Sequence, residues 1–203
     1  MRIKRTLTIL ALLTVPLPCP AQDVVSLDDL FLLPGDVIHV SIWREAELSG
    51  DFRVHPEGYV ILPLLGQKAV TALPWQRVRD RLLEAYQKEL INPSIELTPL
   101  RRVYVLGEVA RPGLYPVDPT VSLAGVVALA GGATSNGDLR KLRVVRAGVV
   151  VLDGIPSETA LASLDVRSDD QIFVGTRNWF HRNSTFVITA LLSVSTIVIS
   201  LAR

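Results

Sequence analysis

The chain has 203 residues, with 21 basic and 20 acidic side chains, 3 histidines and 1 cysteine. That near-neutral balance excludes a broad electrostatic footprint for nucleic acid. A single cysteine excludes an internal disulfide or a cysteine-based metal cluster by counting.

In chain order, Arg2, Lys4 and Arg5 precede an apolar run over residues 7–15, followed by Pro16, Pro18, Pro20 and the small Ala21. This pattern reads as a secretory signal over residues 1–21, cleaved after Ala21. Cys19 leaves with it. Reading Cys19 as a lipid-anchor site is the weaker alternative, because Pro18 stands where a small residue is wanted and Pro16 where Leu is wanted. From residue 22 onward 18 basic residues face 20 acidic ones.

Residues 22–100 read as one α+β unit. A turn at Pro34, Gly35 and Asp36 opens a strand over residues 37–43, with Ile38, Val40 and Ile42 on one face. Residues 52–54 and 59–62 flank His55, Pro56, Glu57 and Gly58, which predicts a four-residue hairpin loop. Pro74 suits the first position of a helix in which Trp75, Val78, Leu82, Leu83, Tyr86 and Leu90 recur at helical spacing. Asn92 and Pro93 end that helix, and a strand returns over residues 95–97.

A second unit, residues 101–178, begins with a short apolar strand over residues 103–106. Pro112 and Gly113 predict the two central positions of a turn before another strand. Ser122 predicts the cap of a short helix over residues 123–130, stopped by Gly131 and Gly132. Residues 142–146 and 149–152 enclose Ala147 and Gly148 as a two-residue hairpin connection, and residues 171–174 supply a last strand. Asp169 and Asp170, just before it, read as a solvated turn.

The remainder, residues 179–203, reads as a membrane segment. Residues 183–202 carry no charged side chain and, if helical, span roughly 30 Å, about one bilayer core. On that helix Thr185, Thr189, Ser193, Thr196 and Ser200 fall within an arc of roughly 80°, opposite an apolar surface. A lone helix in lipid gains nothing from such a stripe, so it faces either a neighbouring helix or water inside a ring of helices. Both alternatives imply self-association. Trp179, Phe180 and Arg182, with Arg177 and His181, suit a membrane interface where bases reach lipid phosphates; an ordinary linker is the plain alternative.

No motif points to catalysis. His39, His55 and His181 show no metal-ligand spacing, and Ser49 and Ser135 sit in turn-like contexts without a nucleophile elbow. Gly131 and Gly132 follow a helix instead of opening one, the wrong side for a phosphate cradle. Neither a cofactor nor a metal is expected.

The segment LLPGDVIHVSIWREAELSGDFRVHPEGYVILPLLG, residues 32–66, resembles the first domain of the bacterial outer-membrane polysaccharide export (OPX, Wza-type) proteins. VYVLGEVARPGLYPV, then ALAGG and LRKLRVVR, is similar to the soluble-ligand-binding β-grasp (SLBB) module that follows it in that family. The resemblance covers residues 32–175. It implies an outer-membrane protein with a periplasmic body, a ring of about eight subunits, and a barrel of C-terminal helices that passes capsular or exopolysaccharide, working with an inner-membrane copolymerase. Larger family members carry more than one β-grasp repeat and a lipidated cysteine, whereas this chain has space for one repeat. The competing reading is a periplasmic β-grasp binding module tethered to the inner membrane by one span; with Arg177 and Arg182 outside and Arg203 inside, it runs against the positive-inside bias. A soluble protein with the tail as a buried helix is disfavoured, because its small domains offer little to enclose it.

Overall fold

The structure is a computed structural model that describes residues 30–177. The segments read as signal (1–21) and membrane helix (179–203) lie outside those residues. Elements run β1 (Val37–Ile42), β2 (Gly50–Arg53), β3 (Tyr59–Leu62), β4 (Gly66–Ala69), α1 (Trp75–Glu89) and β5 (Ile95–Gly107). They continue as β6 (Gly113–Val117), α2 (Leu123–Leu129), β7 (Gly137–Arg146), β8 (Val149–Ile155) and β9 (Gln171–Thr176). The class is mixed α+β, with two α-helices among the described residues. Neither is long and apolar enough to cross a membrane.

Two apolar cores form. The first packs Ile38, Val40 and Ile42 of β1 and Val60 and Leu62 of β3 against Trp75, Val78, Leu82 and Tyr86 of α1. The second gathers Val103 and Val105 of β5, Leu142 and Val144 of β7, and Ile172 and Val174 of β9 around Leu123, Val126 and Val127 of α2. In both, strand residues spaced by two meet helix residues spaced by three or four, as the two periodicities require.

The 13-residue β5 joins the cores. Its first half pairs antiparallel with β1, from Ile95 against Ile42 to Leu100 against Val37. Its second half pairs antiparallel with β6 and parallel with β9. One sheet of order β2-β1-β5-β9-β7-β8 results, with β6 also on β5. The strands expected at residues 95–97 and 103–106 are therefore one.

Other expectations are refined. The turn at residues 55–58 forms, with the Gly58 N–H donating to the His55 carbonyl at 2.8 Å. However, β2 pairs with β1 and β3 with β4, so the two segments flanking the turn are not a ladder. Period-two alternation identifies a strand but not its neighbour. Pro74 is the N-cap of α1, one position earlier than expected. The reversal expected at Pro112 and Gly113 begins instead at Gly107, where φ is +87° and a Cβ would stand 2.3 Å from the Val174 carbonyl oxygen. From there residues 108–112 lie along the end of α2, with Arg111 N–H donating to the Ala130 carbonyl at 2.8 Å, and Gly113 is already the first residue of β6.

The local signals around α2 and the second hairpin hold. Ser122 Oγ accepts from the Gly125 N–H at 3.2 Å. The Gly132 N–H donates back to Val127 with both glycines at positive φ, a Schellman ending. Ala147 (φ 50°) and Gly148 (φ 80°) make the two-residue turn between β7 and β8, the conformation a type I′ connection needs.

Candidate functional site

The most polar buried feature is the joint between the two cores. Asp36, 1 % exposed, ends the turn before β1; Arg101, 3 % exposed, sits mid-β5. Arg101 donates through Nε to Asp36 Oδ1 at 3.2 Å and through Nη2 to Oδ2 at 3.1 Å. Ser168 Oγ donates to Oδ1 at 2.7 Å and the Leu33 N–H to Oδ2 at 2.9 Å. Four donors saturate the carboxylate. The third donor group of Arg101, Nη1, reaches the Val166 carbonyl at 2.8 Å. Burial makes this carboxylate look catalytic, yet every lone pair is taken, so it is a fastener.

Asp169 and Asp170 extend the joint: Asp169 is exposed, as a solvated turn predicts, whereas Asp170 is buried, which corrects that expectation for the second acid. Asp169, at φ 73°, takes Arg102 Nη2 on Oδ1 at 2.6 Å and Arg53 Nη2 on Oδ2 at 3.0 Å, bridging β5 to β2. Asp170 is buried and accepts both Arg146 Nε and Nη2 at 2.8 Å. That hydrogen bonding raises the Arg146 pKa above the ordinary guanidinium value. Arg146 also reaches Asp165, and its hydrogen bond holds the Asp165 carboxyl below its usual range. Two adjacent acids before a strand read as solvent-facing by local pattern; their arginines come from 24 to 116 residues away.

The other singled-out residues have structural surroundings. His39 Nδ1 lies 2.6 Å from Asp51 Oδ1 at an exposed position, and His55 stacks on Tyr59 with centroids 4.5 Å apart. No cluster of metal-ligating side chains occurs among the described residues. Ser49 Oγ accepts from the Ile42 N–H and donates to the Glu45 carbonyl, closing the loop before β2. Thr185, Thr189, Ser193, Thr196 and Ser200, with Trp179, Phe180 and Arg182, lie outside the described residues.

Open clefts mark the surface of the described residues, and two of them carry exposed aromatic or cationic side chains. One, about 560 Å³, lies between the loop after β1 and the end of α1. Trp43 (72 % exposed) and Ile91 (96 % exposed) stand there beside Arg44 and Asn92, both at positive φ. The other, about 420 Å³, lies on the sheet of the second unit, lined by Arg140, Lys141, Arg143, Asp153, Gly154, Gly175 and Thr176. Here Arg143 lies over the Phe173 ring at 4.7 Å. The alternation LRKLRVVR places Arg143 opposite the buried Leu142 and Val144. Its contact with Phe173 depends on β7 pairing with β9, which no local pattern announces.

Comparison with known sequences agrees with this two-unit architecture. The profile described as polysaccharide biosynthesis/export protein matches residues 25–98, and that of the SLBB domain matches residues 102–155. The chain is 31 % identical over 108 residues to the exopolysaccharide production protein ExoF of Rhizobium meliloti (strain 1021), covering 47 % of this chain and 26 % of that protein. It is 32 % identical over 109 residues to the polysialic acid transport protein KpsD of Escherichia coli, covering 51 % of this chain and 20 % of that one.

Proposed function

The chain belongs to the polysaccharide export family, with one SLBB domain behind its export domain, and from that premise we propose that it is a subunit of an outer-membrane translocon for capsular or exopolysaccharide. The observation that carries the proposal is the pairing of these two domains with the uncharged stretch over residues 183–202. In this reading residues 1–21 are a signal, residues 22–100 the export domain, residues 101–178 the SLBB domain and residues 179–203 a membrane helix. About eight such helices close into a barrel in a symmetric ring. Thr185, Thr189, Ser193, Thr196 and Ser200 line it, and Trp179, Phe180 and Arg182 seat its rim in outer-membrane lipid.

Transport of this kind needs no bond to be made or broken. A hydrated polymer exchanges weak hydrogen bonds with rings of hydroxyls and with water, without the deep binding well that would stop conduction. The joint supports the reading mechanically, because a continuous β5 and saturated ion pairs hold the two domains in one fixed relation, as repeated identical contacts around a ring require. An inner-membrane copolymerase supplies the polymer on the periplasmic side.

The test is the native mass of the full-length protein extracted in mild detergent from the outer-membrane fraction. A closed ring that falls apart when residues 183–203 are deleted supports the exporter. A monomer or dimer recovered from the inner membrane overturns it and favours a tethered periplasmic SLBB scaffold.

A further inference from the structure

The SLBB sheet has an inner face packed on α2 and an outer face on which Tyr104 and Leu114 are 38 % and 40 % exposed and Arg143, Phe173 and Leu106 half-buried. Register puts Arg143 of β7, Phe173 of β9, and Tyr104 and Leu106 of β5 on that outer face, because their neighbours Leu142, Val144, Ile172, Val174, Val103 and Val105 all point into the core. Leu114 of β6 stands beside Tyr104 on the same face. Aromatic and aliphatic surface thus runs across the strands next to a cleft rimmed by cations.

The cations differ in what occupies them. Arg140 donates from Nε and Nη2 to Asp138 at 3.0 and 3.2 Å, and Lys141 Nζ donates to the Thr176 carbonyl at 2.8 Å. Arg143 has one face of its guanidinium on Phe173 and no carboxylate within ion-pair distance among the described residues. Its cross-strand neighbour Asp153 uses Oδ1 to accept the Gly154 N–H instead. A guanidinium stacked on a ring keeps its N–H edges free in a fixed plane, the geometry that matches a carboxylate with two parallel hydrogen bonds. The floor beside it is kept low by Gly175, where a Cβ would stand 2.9 Å from Lys141 Cβ.

We propose that this outer face, centred on Arg143 and Phe173, is a contact site for carboxylate-bearing sugar residues of the exported polymer. Arg143 takes the carboxylate while Phe173 and Tyr104 offer apolar surface to the C–H faces of adjacent rings. Lys141, bonded to the neutral Thr176 carbonyl, adds positive potential, while the charge of Arg140 is balanced by Asp138. The site is a shallow open groove, so a long polymer can lie across it and leave again. The proposal deepens the transport reading by naming the polymer's chemistry as acidic.

The test uses the full-length chain in mild detergent, titrated by calorimetry with oligogalacturonate and with a neutral maltooligosaccharide of equal length. Wild type is expected to bind the acidic oligomer and to ignore the neutral one. Arg143→Ala should weaken binding roughly ten- to hundredfold, the worth of a charge-assisted two-point contact, and Arg143→Lys should fall between. Phe173→Leu, which keeps apolar bulk but removes the platform, should also weaken it. Arg81→Ala, removing an exposed cation from α1, should leave it unchanged. Should Arg143→Ala fail to fold, Arg143→Gln tests the same charge. Equal binding of both oligomers, binding of neither, or equal losses in the Arg81 and Arg143 variants overturns the proposal. Native mass measured on the same samples separates the two ideas: a ring without acidic-oligomer binding sinks this site alone, whereas binding by a chain that forms no ring sinks the translocon reading.

Discussion

Replacing Asp36 by Asn should loosen the union of the two cores. The substitution keeps the side-chain shape but removes a charge at a position 1 % exposed, and leaves Arg101, 3 % exposed, with the Val166 carbonyl as its main acceptor. Breaking one side of a buried ion pair costs about 3–5 kcal/mol, mostly from the stranded charge. Against a total stability on the order of 5–15 kcal/mol that is a large fraction, equivalent to a drop of roughly 6–20 °C in midpoint for a chain of this size. The assay is urea and thermal unfolding of the full-length chain in detergent. Tryptophan fluorescence follows Trp75, buried in the first core, and the exposed Trp43 of the same unit, and far-ultraviolet circular dichroism follows the whole. In wild type the two probes should coincide; in Asp36→Asn the fluorescence transition should come first. The companion Arg101→Met leaves Asp36 with two donors, and the double variant should cost about 2 kcal/mol less than the two singles added together, because the second change removes the charge the first one stranded. A loss under about 1 kcal/mol for Asp36→Asn, or strict additivity, refutes the fastener argument.

Four smaller changes test other parts of the fold. The Tyr86 hydroxyl is fully buried with no hydrogen-bond partner among the described residues, and burial raises its pKa; Tyr86→Phe should raise stability by about 1 kcal/mol in urea unfolding. Gly107→Ala should cost at least about 2 kcal/mol in the same assay, since it adds left-handed strain and a clash with the Val174 carbonyl. Ala147→Asn should stabilise by about 0.5 kcal/mol in thermal unfolding, because Asn tolerates the positive φ of the β7–β8 turn better. Asp138 and Asp165 both have lowered carboxyl pKa values, caused first by hydrogen bonds from Arg140 and Arg146. A depressed native pKa gives stability that is complete above the unfolded carboxylate value and lost as pH falls through the native one. Midpoints measured down from pH 7 should therefore hold to about pH 4 and then decline, and the double variant Asp138→Asn, Asp165→Asn should decline less.

Local chemistry was legible wherever a residue acts on its immediate neighbours. Ser122 had to cap a helix because its hydroxyl reaches the Gly125 N–H three residues on, and Gly131 and Gly132 had to end it because they accept positive φ. Ala147 and Gly148 were readable as a two-residue turn, and Trp75, Val78, Leu82 and Tyr86 as one buried helix face, since spacing alone sets which side a residue lies on. Composition and the family motifs were equally available, from the PGD turn to the RPG loop.

Which strand lies beside which was decided only by tertiary structure. Residues 52–54 alternate in a way that fits β1 or β3 alike, and burial of Ile38, Val40 and Ile42 under α1 selects β1. Likewise, residues 95–107 look like two short strands because Arg101 and Arg102 interrupt an apolar pattern. They form one strand because Asp36 and Asp169 arrive from distant segments to neutralise those arginines, while Ser168 Oγ accepts the Arg102 backbone N–H. A charge in a sequence carries no sign of whether it will meet water or a partner; that depends on contacts separated by 65 residues or more, which only the folded chain brings within 3 Å or so.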